Sequence, residues 1–352
     1  MPPPPLILGL ESSCDETAAA VVAGGVRVLS NVIATQHELH ERYAGVVPEI
    51  ASRAHLERIM PVIEEALRGA VIGFADLEAI AVGHRPGLIG SLLVGVSSAK
   101  ALAWSLSLPL IGIDHIHAHL HAGLLDAEPI AHPALGLVVS GGHTSLFLVR
   151  GPLDVQRLGR TIDDAVGEAF DKAANILRLG YPGGPAIDAL ALRGDEHAHD
   201  LPVSTLGKDS LDFSFSGLKT ALLYAVCGAP VGRGREAHLE RDASRLSEKE
   251  KADFAASFQR AAIGAVMKKV QRALDRHADC RALLVGGGVA ANRRLRAELT
   301  ALADERRLDL RLPRMEYCLD NAAMIAGLAA ERYRAGQFDD LTLAASPRTA
   351  II

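Results

Sequence analysis

Apolar and polar positions fall into alternating blocks along the chain, and two of those blocks are near copies. Leu135 to Val149 reads LGLVVSGGHTSLFLV, two apolar runs around a short polar, glycine-rich tip. That pattern predicts strand, turn, strand. Leu8 to Val22 reads LGLESSCDETAAAVV. At a fixed offset the two share Leu8/Leu135, Gly9/Gly136, Leu10/Leu137, Ser13/Ser140 and Thr17/Thr144. The first copy predicts strands at Leu6–Leu10 and Ala18–Val22, with Asp15 and Glu16 on the turn. A chain that opens two halves with the same polar-tipped hairpin is expected to have duplicated a lobe, with a cleft between the copies.

The rest of the pattern fits that plan. Pro48 is expected to start a helix, continued by apolar residues at helical spacing (Leu56, Ile59, Met60, Ile63, Leu67). Ala79–Val82 and Leu110–Ile113 read as short buried strands, and the mostly apolar run from Leu92 as a buried helix. In the second half the pattern predicts a polar helix near Asp163–Leu179, a tight turn at Gly183-Gly184, and a strand or hairpin in LDFSFSGLK. A charged loop should follow from Cys227 to Lys251, then a long amphipathic helix over Phe254–Leu274. The strand Ala282–Val285 runs into GGGVAANRRL, a glycine-rich turn opening a helix, and a last helix begins near Asp320. Strands alternating with helices in both halves indicate an α/β fold with two related lobes. The expected boundary separates residues 1–133 from 134–352, with the final helix crossing back to the first lobe.

Composition narrows the partners. With 37 basic and 42 acidic residues and a net charge of −5, any nucleic acid must be met by a local basic patch. Arg293, Arg294 and Arg296, or Arg233, Arg235 and Arg241, could supply one. The four cysteines, Cys14, Cys227, Cys280 and Cys318, lie far apart, which suits a reducing compartment better than a disulfide framework. The start MPPPP lacks the marks of a signal peptide. No apolar run reaches the roughly 18 residues of a membrane span. A cytoplasmic protein with no membrane association is expected.

Candidate chemistry gathers at the turns. Gly141 and Gly142 would permit positive φ and let backbone N–H groups approach an anion, as phosphate-binding turns require. The turn at Gly286-Gly287-Gly288 opens a helix whose free N–H groups favour an anion, although Asn292 could be no more than the helix cap. It is not GxGxxG, which disfavours a dinucleotide fold. In DHIHAHLH, His115 and His119 stand four apart, which on a helix sets both imidazoles on one face at metal-chelating distance. His117 and His121 form a competing pair, and Asp320 and Cys318 compete for the third ligand. Ile116 stands where a zinc peptidase would carry its general-base glutamate. Asp171 and Asp188 add carboxylates near the Gly183-Gly184 turn.

ILGLESSCDET, GVVPEIASRAH, HIHAHL, VVSGGHTSL, DDAVGEAFDKAA, YPGGPAID, LDFSFSGLKT, GGGVAANRRLR and CLDNAAMIA, in this order, resemble the bacterial TsaD family, once labelled O-sialoglycoprotein endopeptidases. The resemblance runs from Leu6 to about Ala335. It implies the two-lobed actin, heat-shock ATPase and sugar-kinase fold, with duplicated lobes around a nucleotide cleft. It implies transfer of a threonylcarbamoyl group from threonylcarbamoyl-AMP to the exocyclic amine of the tRNA adenosine just 3′ of the anticodon, in tRNAs reading codons that begin with A. By motif it gives a metal role to His115, His119 and Asp320, the ion being Fe2+ with Zn2+ as the alternative. It gives substrate contacts to Val138, Val139, Ser140, Gly141, Gly142, Asp171, Gly184, Asp188 and Asn292. His143, Asp15 and Glu16, on the opposed turns, are the candidate bases. Implied partners are tRNA, an inactive paralogue of similar fold and a small P-loop ATPase. The chain departs from the family pattern at His117 and Ala118, where Glu and Gly are usual, at Arg85, where Gly is usual, and at Ser12, where Thr is common. The alternative activity is an ATP-dependent small-molecule kinase of the same superfamily. It would use carboxylates at the hairpins and would have no use for a histidine pair.

Overall fold

The computed structural model describes residues 4–40, 43, 45–232, 239 and 241–349. Two sheets carry the architecture. The first holds β1 (Leu6–Glu11), β2 (Glu16–Ala23), β3 (Arg27–Thr35), β4 (Ala79–Arg85) and β5 (Leu110–Asp114), in the order β3-β2-β1-β4-β5. The second holds β6 (Ala134–Val139), β7 (Thr144–Gly151), β8 (Asp154–Arg160), β9 (Ala282–Gly286) and β10 (Asp309–Arg311), in the order β10-β9-β6-β7-β8. In each sheet the first strand pairs antiparallel with the second and parallel with the fourth. The duplication read from the two hairpins is therefore a duplication of whole sheets.

The helices are α1 (His37–His40), α2 (Pro48–Ala70), α3 (Ile89–Leu106), α4 (His115–Ala122), α5 (Val166–Ile176), α6 (Gly183–Ala191), α7 (Ser216–Cys227), α8 (Glu248–Arg276), α9 (Arg293–Arg306) and α10 (Ala322–Arg334). Strand side chains alternate between faces, and both faces of each sheet are covered. On the first sheet Leu8, Leu10, Ala19, Val21, Ile80 and Val82 share a core with α2 and α3. Their neighbours Ile7, Ala18, Ala20, Ala79 and Ala81 share another with α4 and α10. On the second sheet Leu135, Leu137, Leu146, Leu283 and Val285 face α5, α7, α8 and α9, while Ala134, Val138, Phe147 and Leu284 face α4.

α4 thus lies between the two sheets, and its sequence divides by helical face. Ala118 and Ala122 join the first sheet's core, and Ile116 and Leu120 join the second's. Two glycines allow this closeness. A Cβ on Gly286 would fall on the carbonyl of His119, and one on Gly9 would stand 2.5 Å from the carbonyl oxygen of Ala322 at the start of α10. These close approaches set the two segments that carry the candidate metal ligands.

Several expectations change. Glu16 is the first residue of β2, so only Asp15 of the acidic pair lies on the turn. In α2 the buried positions include Ile59, Ile63 and Leu67, whereas Leu56 and Met60 are 66% and 43% exposed. α3 is apolar and long enough to meet the length and composition of a membrane span; in the fold it packs on α2 and β4, burying Leu92, Val94, Val96, Ala99 and Ala103 while Leu93 and Trp104 stay exposed. Gly183 and Gly184 open α6 instead of forming a tight turn. LDFSFSGLK makes one bridge, Phe213 to Thr161, before α7 starts at Ser216, because Asp163 accepts from the backbone of Phe215 and Ser216 and turns the chain. α8 starts earlier than its apolar pattern, at Glu248, where Ser247 and Glu250 form a reciprocal cap. Of the charged loop before it, residues 233–238 and 240 lie outside the described residues, and with them Arg233 and Arg235.

Prediction: Gly286→Ala overpacks the contact between β9 and α4 and costs about 1–3 kcal/mol in denaturant unfolding. Gly141→Ala, which meets nothing within 4 Å, is the near-neutral control.

Candidate metal and substrate site

The third face of α4 carries His115 and His119. Asp114 caps the helix, its carboxylate accepting from the N–H groups of Ile116 (3.1 Å) and His117 (3.4 Å). One turn apart, the two imidazoles stand nearly perpendicular, ring centroids 4.6 Å apart. Asp320 closes the group from the segment before α10. Its Oδ1 lies 3.4 Å from Nε2 of His115 and 3.2 Å from Nε2 of His119. Asp320 is free to do so because the cap of α10 is its neighbour Asn321, whose side chain accepts from Met324 N–H. Of the two candidates for a third ligand, Cys318 is held elsewhere. Cys318 is engaged by Arg296 and by the carbonyls of Pro313 and Arg314. The rival histidine pair is divided: His121 donates to the carbonyl of Gly25 (2.8 Å), and His117 packs edge-on against Phe147.

One partner of the group carried no sequence signal. His115 donates through Nδ1–H to Oε2 of Glu11 (3.0 Å), which is wholly buried. This bond commits Nδ1 and leaves Nε2 facing Asp320, where it would be available to an ion, the carboxylate–histidine support typical of metal-bound imidazole. Glu11 is held in turn by the N–H of Ser13 (2.5 Å). Only its place at the end of the first strand, facing the histidine helix, could have marked it.

The group fits a divalent cation. Among the described residues neither ring nitrogen of His119 has a hydrogen-bond partner, although both are buried and Nε2 is close to Asp320. A buried imidazole nitrogen without a partner is costly, and an ion bound by two imidazoles and a carboxylate removes that cost. Burial works against a charge on His115, but Asp320 and Glu11 outweigh it and hold its basicity above the usual range. Burial works against the ionised form of Asp320, but His115 and His119 pull it well below the carboxylate range.

The second hairpin reaches this group. His143, on the β6–β7 turn, is held near pKa 4 by burial and by the neighbouring His115 and His119. Gly141 and Gly142 have no positive φ, contrary to expectation. Their turn is closed by Ser140 N–H to the carbonyl of His143 (2.8 Å), and it docks on α5 through Glu168 N–H to the carbonyl of Gly141 (3.1 Å). What these glycines give is open space, since a Cβ at either meets nothing within 4 Å. Val138 and Val139 are buried strand residues whose side chains belong to the core, and Ser140 is nearly buried.

The remaining predicted substrate contacts line the second lobe. Asp171 accepts from Gly183 N–H (2.8 Å) at the start of α6; burial raises its pKa against that bond. Gly184 is open, with nothing within 4 Å of a Cβ. Asp188 is buried beside Arg293 (3.4 Å), yet its Oδ1 has no partner among the described residues. Burial raises its pKa. Asn292 caps α9 through Leu295 N–H and donates to Gln259 (2.8 Å), so its side chain is committed within the lobe. Of the candidate basic patch, Arg294 is paired with Glu196 and Glu298, and Arg296 is bound to the carbonyls of Ala290 and Pro313. Arg293 remains outward, 60% exposed in its side chain.

Comparison with known proteins decides the family. The family described as TsaD, tRNA N6-adenosine threonylcarbamoyltransferase, matches residues 27–327. The chain belongs to the TsaD family. A relative from Rhodopirellula baltica bearing that name is 49% identical over 352 residues, covering 97% of this chain and 96% of its own. Another from Bacillus cereus strain ATCC 10987 is 47% identical over 343 residues, covering 97% and 95%. Among solved structures, HypF from T. kodakarensis superposes with a TM-score of 0.60 at 16% identity, over 97% of this chain and 49% of that one. The component A of (R)-2-hydroxyglutaryl-CoA dehydratase from Acidaminococcus fermentans superposes with a TM-score of 0.53 at 14% identity, over 94% and 99%. At such identities these structures show that the TsaD member shares their two-lobed fold, and nothing of its chemistry.

Prediction: Glu11→Gln in this TsaD member weakens binding of a divalent ion about 10–100-fold by titration calorimetry. Unchanged affinity would remove Glu11 from the site.

Proposed function

We propose that the protein is a tRNA N6-adenosine threonylcarbamoyltransferase, acting on the adenosine 3′ of the anticodon with threonylcarbamoyl-AMP as donor. The observation that carries this reading is the convergence of His115, His119 and Asp320 on one point, beside the open Gly141-Gly142 turn. The donor is a mixed anhydride and already activated, so placement and charge stabilisation supply most of the rate. Backbone around Gly141 and Gly142 offers room for the donor, and the unpartnered Oδ1 of Asp188 offers an acceptor for a hydroxyl. His115, His119 and Asp320 would hold iron(II), with zinc satisfying the same donors. When bound, such an ion supplies a Lewis acid for a carbonyl or phosphate oxygen. A kinase of the same fold would leave the histidine pair without a purpose.

The reading brings partners with it: tRNA, an inactive paralogue of similar fold and a small P-loop ATPase, working in the cytoplasm where tRNA is modified. Arg293 and Arg241, both exposed, are the named candidates that could meet a tRNA phosphate. α2 and α3 pack on each other and leave Leu56, Met60, Leu93 and Trp104 exposed, an apolar face suited to the paralogue.

The test incubates the chain with threonylcarbamoyl-AMP, tRNA, iron(II) and the partner proteins, then digests the tRNA for nucleoside mass spectrometry. Threonylcarbamoyl-adenosine should form, and His115→Ala should lose bound metal and product together. Full activity of a metal-free His115→Ala protein would refute the metal's role. Leu93→Glu should abolish co-elution with the paralogue on size exclusion while leaving bound metal unchanged.

A further inference from the structure

A second cluster of titratable groups stands beside the metal site. Asp15, Glu16 and His37 bring their ligand-type atoms within 4.8 Å of one another. Asp15 and Glu16 are 7% and 6% exposed. His37 Nε2 lies 3.3 Å from Oε1 of Glu16 and 3.7 Å from Oδ2 of Asp15, and 35% of its side chain is open to solvent. The turn is fixed on both sides: Gln36 N–H donates to the carbonyl of Asp15 (3.1 Å), and His55 Nε2–H donates to the carbonyl of Cys14 (3.1 Å). From the second lobe, Tyr181 meets the imidazole of His37 edge-on, ring centroids 6.2 Å apart. Tyr181 directly precedes the Pro182 cap of α6, whose first N–H binds Asp171. The cluster therefore sits where the two lobes meet, between the predicted substrate residues and water.

We propose that Glu16 is the base that takes the proton of the attacking adenosine amine, and that His37 is the positioning residue that orients Glu16 and passes the proton to solvent. This rests on the transferase reading above. In the step, the amine lone pair forms the C–N bond at the carbamoyl carbonyl carbon. The bond from that carbon to the phosphate oxygen breaks, and AMP leaves with its electron pair on that oxygen. One N6 proton goes to the Glu16 carboxylate and from there, by way of His37, to water.

Geometry favours Glu16 over Asp15, since it stands 3.3 Å from the His37 imidazole against 3.7 Å. It is buried, in direct contact with a half-exposed imidazole, and it opens β2 within the electrostatic reach of Asp320. Burial pushes its pKa up to about 8, the bond from His37 draws it down, and Asp320 and Asp15 push it up. A base near the operating pH is the most efficient proton acceptor. His143, near 4, holds a proton poorly at neutral pH. The titratable groups facing the dyad are Asp15 and Cys14 on its turn, Asp320 before α10, His40 on α1, His55 on α2 and Tyr181 before α6.

The test is the pH profile of single-turnover transfer by the metal-loaded protein with its partner proteins. The rate should rise with pH as Glu16 ionises. His37→Ala removes the contact that favours the carboxylate, so the midpoint should move to higher pH and the rate at pH 7 should fall on the order of tenfold for each unit of that move. His37→Gln keeps a donor and should move it less. KM for tRNA should change little in either. Glu16→Gln should lower the rate about 10²–10⁴-fold and abolish the limb. An unmoved midpoint in His37→Ala, a half-exposed position whose loss leaves the core intact, would overturn the proposal. So would a wild-type limb in Glu16→Gln protein that retains its metal. No transfer by the wild-type chain at any pH would instead sink the transferase reading itself.

Discussion

Everything at the site depends on an eight-residue helix wedged between two sheets. A helix this short has little stability of its own in water, so it owes its existence to what covers it. α4 is covered on two sides, by the alanine face toward the first sheet and the Ile116-Leu120 face toward the second. The third side is left to His115 and His119. Because either apolar face would be exposed if the sheets parted, the burial that stabilises α4 also fixes the distance between the lobes at the metal ligands. Hydrophobic packing here sets a chemical geometry.

The same logic explains where the charge sits. Glu11 and Asp320 lie against histidines of α4, and Asp15 and Glu16 against His37. Buried carboxylates are tolerated when a cation, a proton or hydrogen-bond donors offset the lost hydration. Glu11 gains the N–H groups of Ser13 and His115, and Asp320 gains two imidazoles. Glu16 has the His37 imidazole beside it but is buried with Asp320 and Asp15 nearby, so its affinity for a proton is raised, whereas that of Asp320 is lowered.

Much of this was legible in the sequence because it rests on periodicity. The paired hairpins announced the duplicated sheets, and the spacing of His115 and His119 announced a shared helical face. The failures have physical causes. Leu56 and Met60 obey the same helical period as the buried stripe of α2, so apolarity alone could not say that they face outward. The Gly141-Gly142 pair suggested positive φ, but the hairpin closes without it, and the missing side chains matter as space. The helix start in LDFSFSGLK is imposed by Asp163, 52 residues away in sequence from the Phe215 N–H it accepts. Glu11 looked like the polar end of a strand, and only the three-dimensional approach of β1 to α4 gives it a task.

The division of labour between the lobes follows from which atoms each can bring. The first lobe supplies the side chains that bind charge: two imidazoles, Glu11, and the Asp15-Glu16-His37 group. The second supplies open backbone at Gly141, Gly142 and Gly184 and the unsatisfied carboxylate oxygen of Asp188. Asp320, although late in the chain, belongs with the first group because α10 packs against the first sheet. An activated acyl donor asks for little more than such a pairing, one side to bear charge and the other to leave room. The cleft between duplicated sheets provides both, since each copy of the hairpin has kept the shape of its partner while its tip has taken a different chemistry.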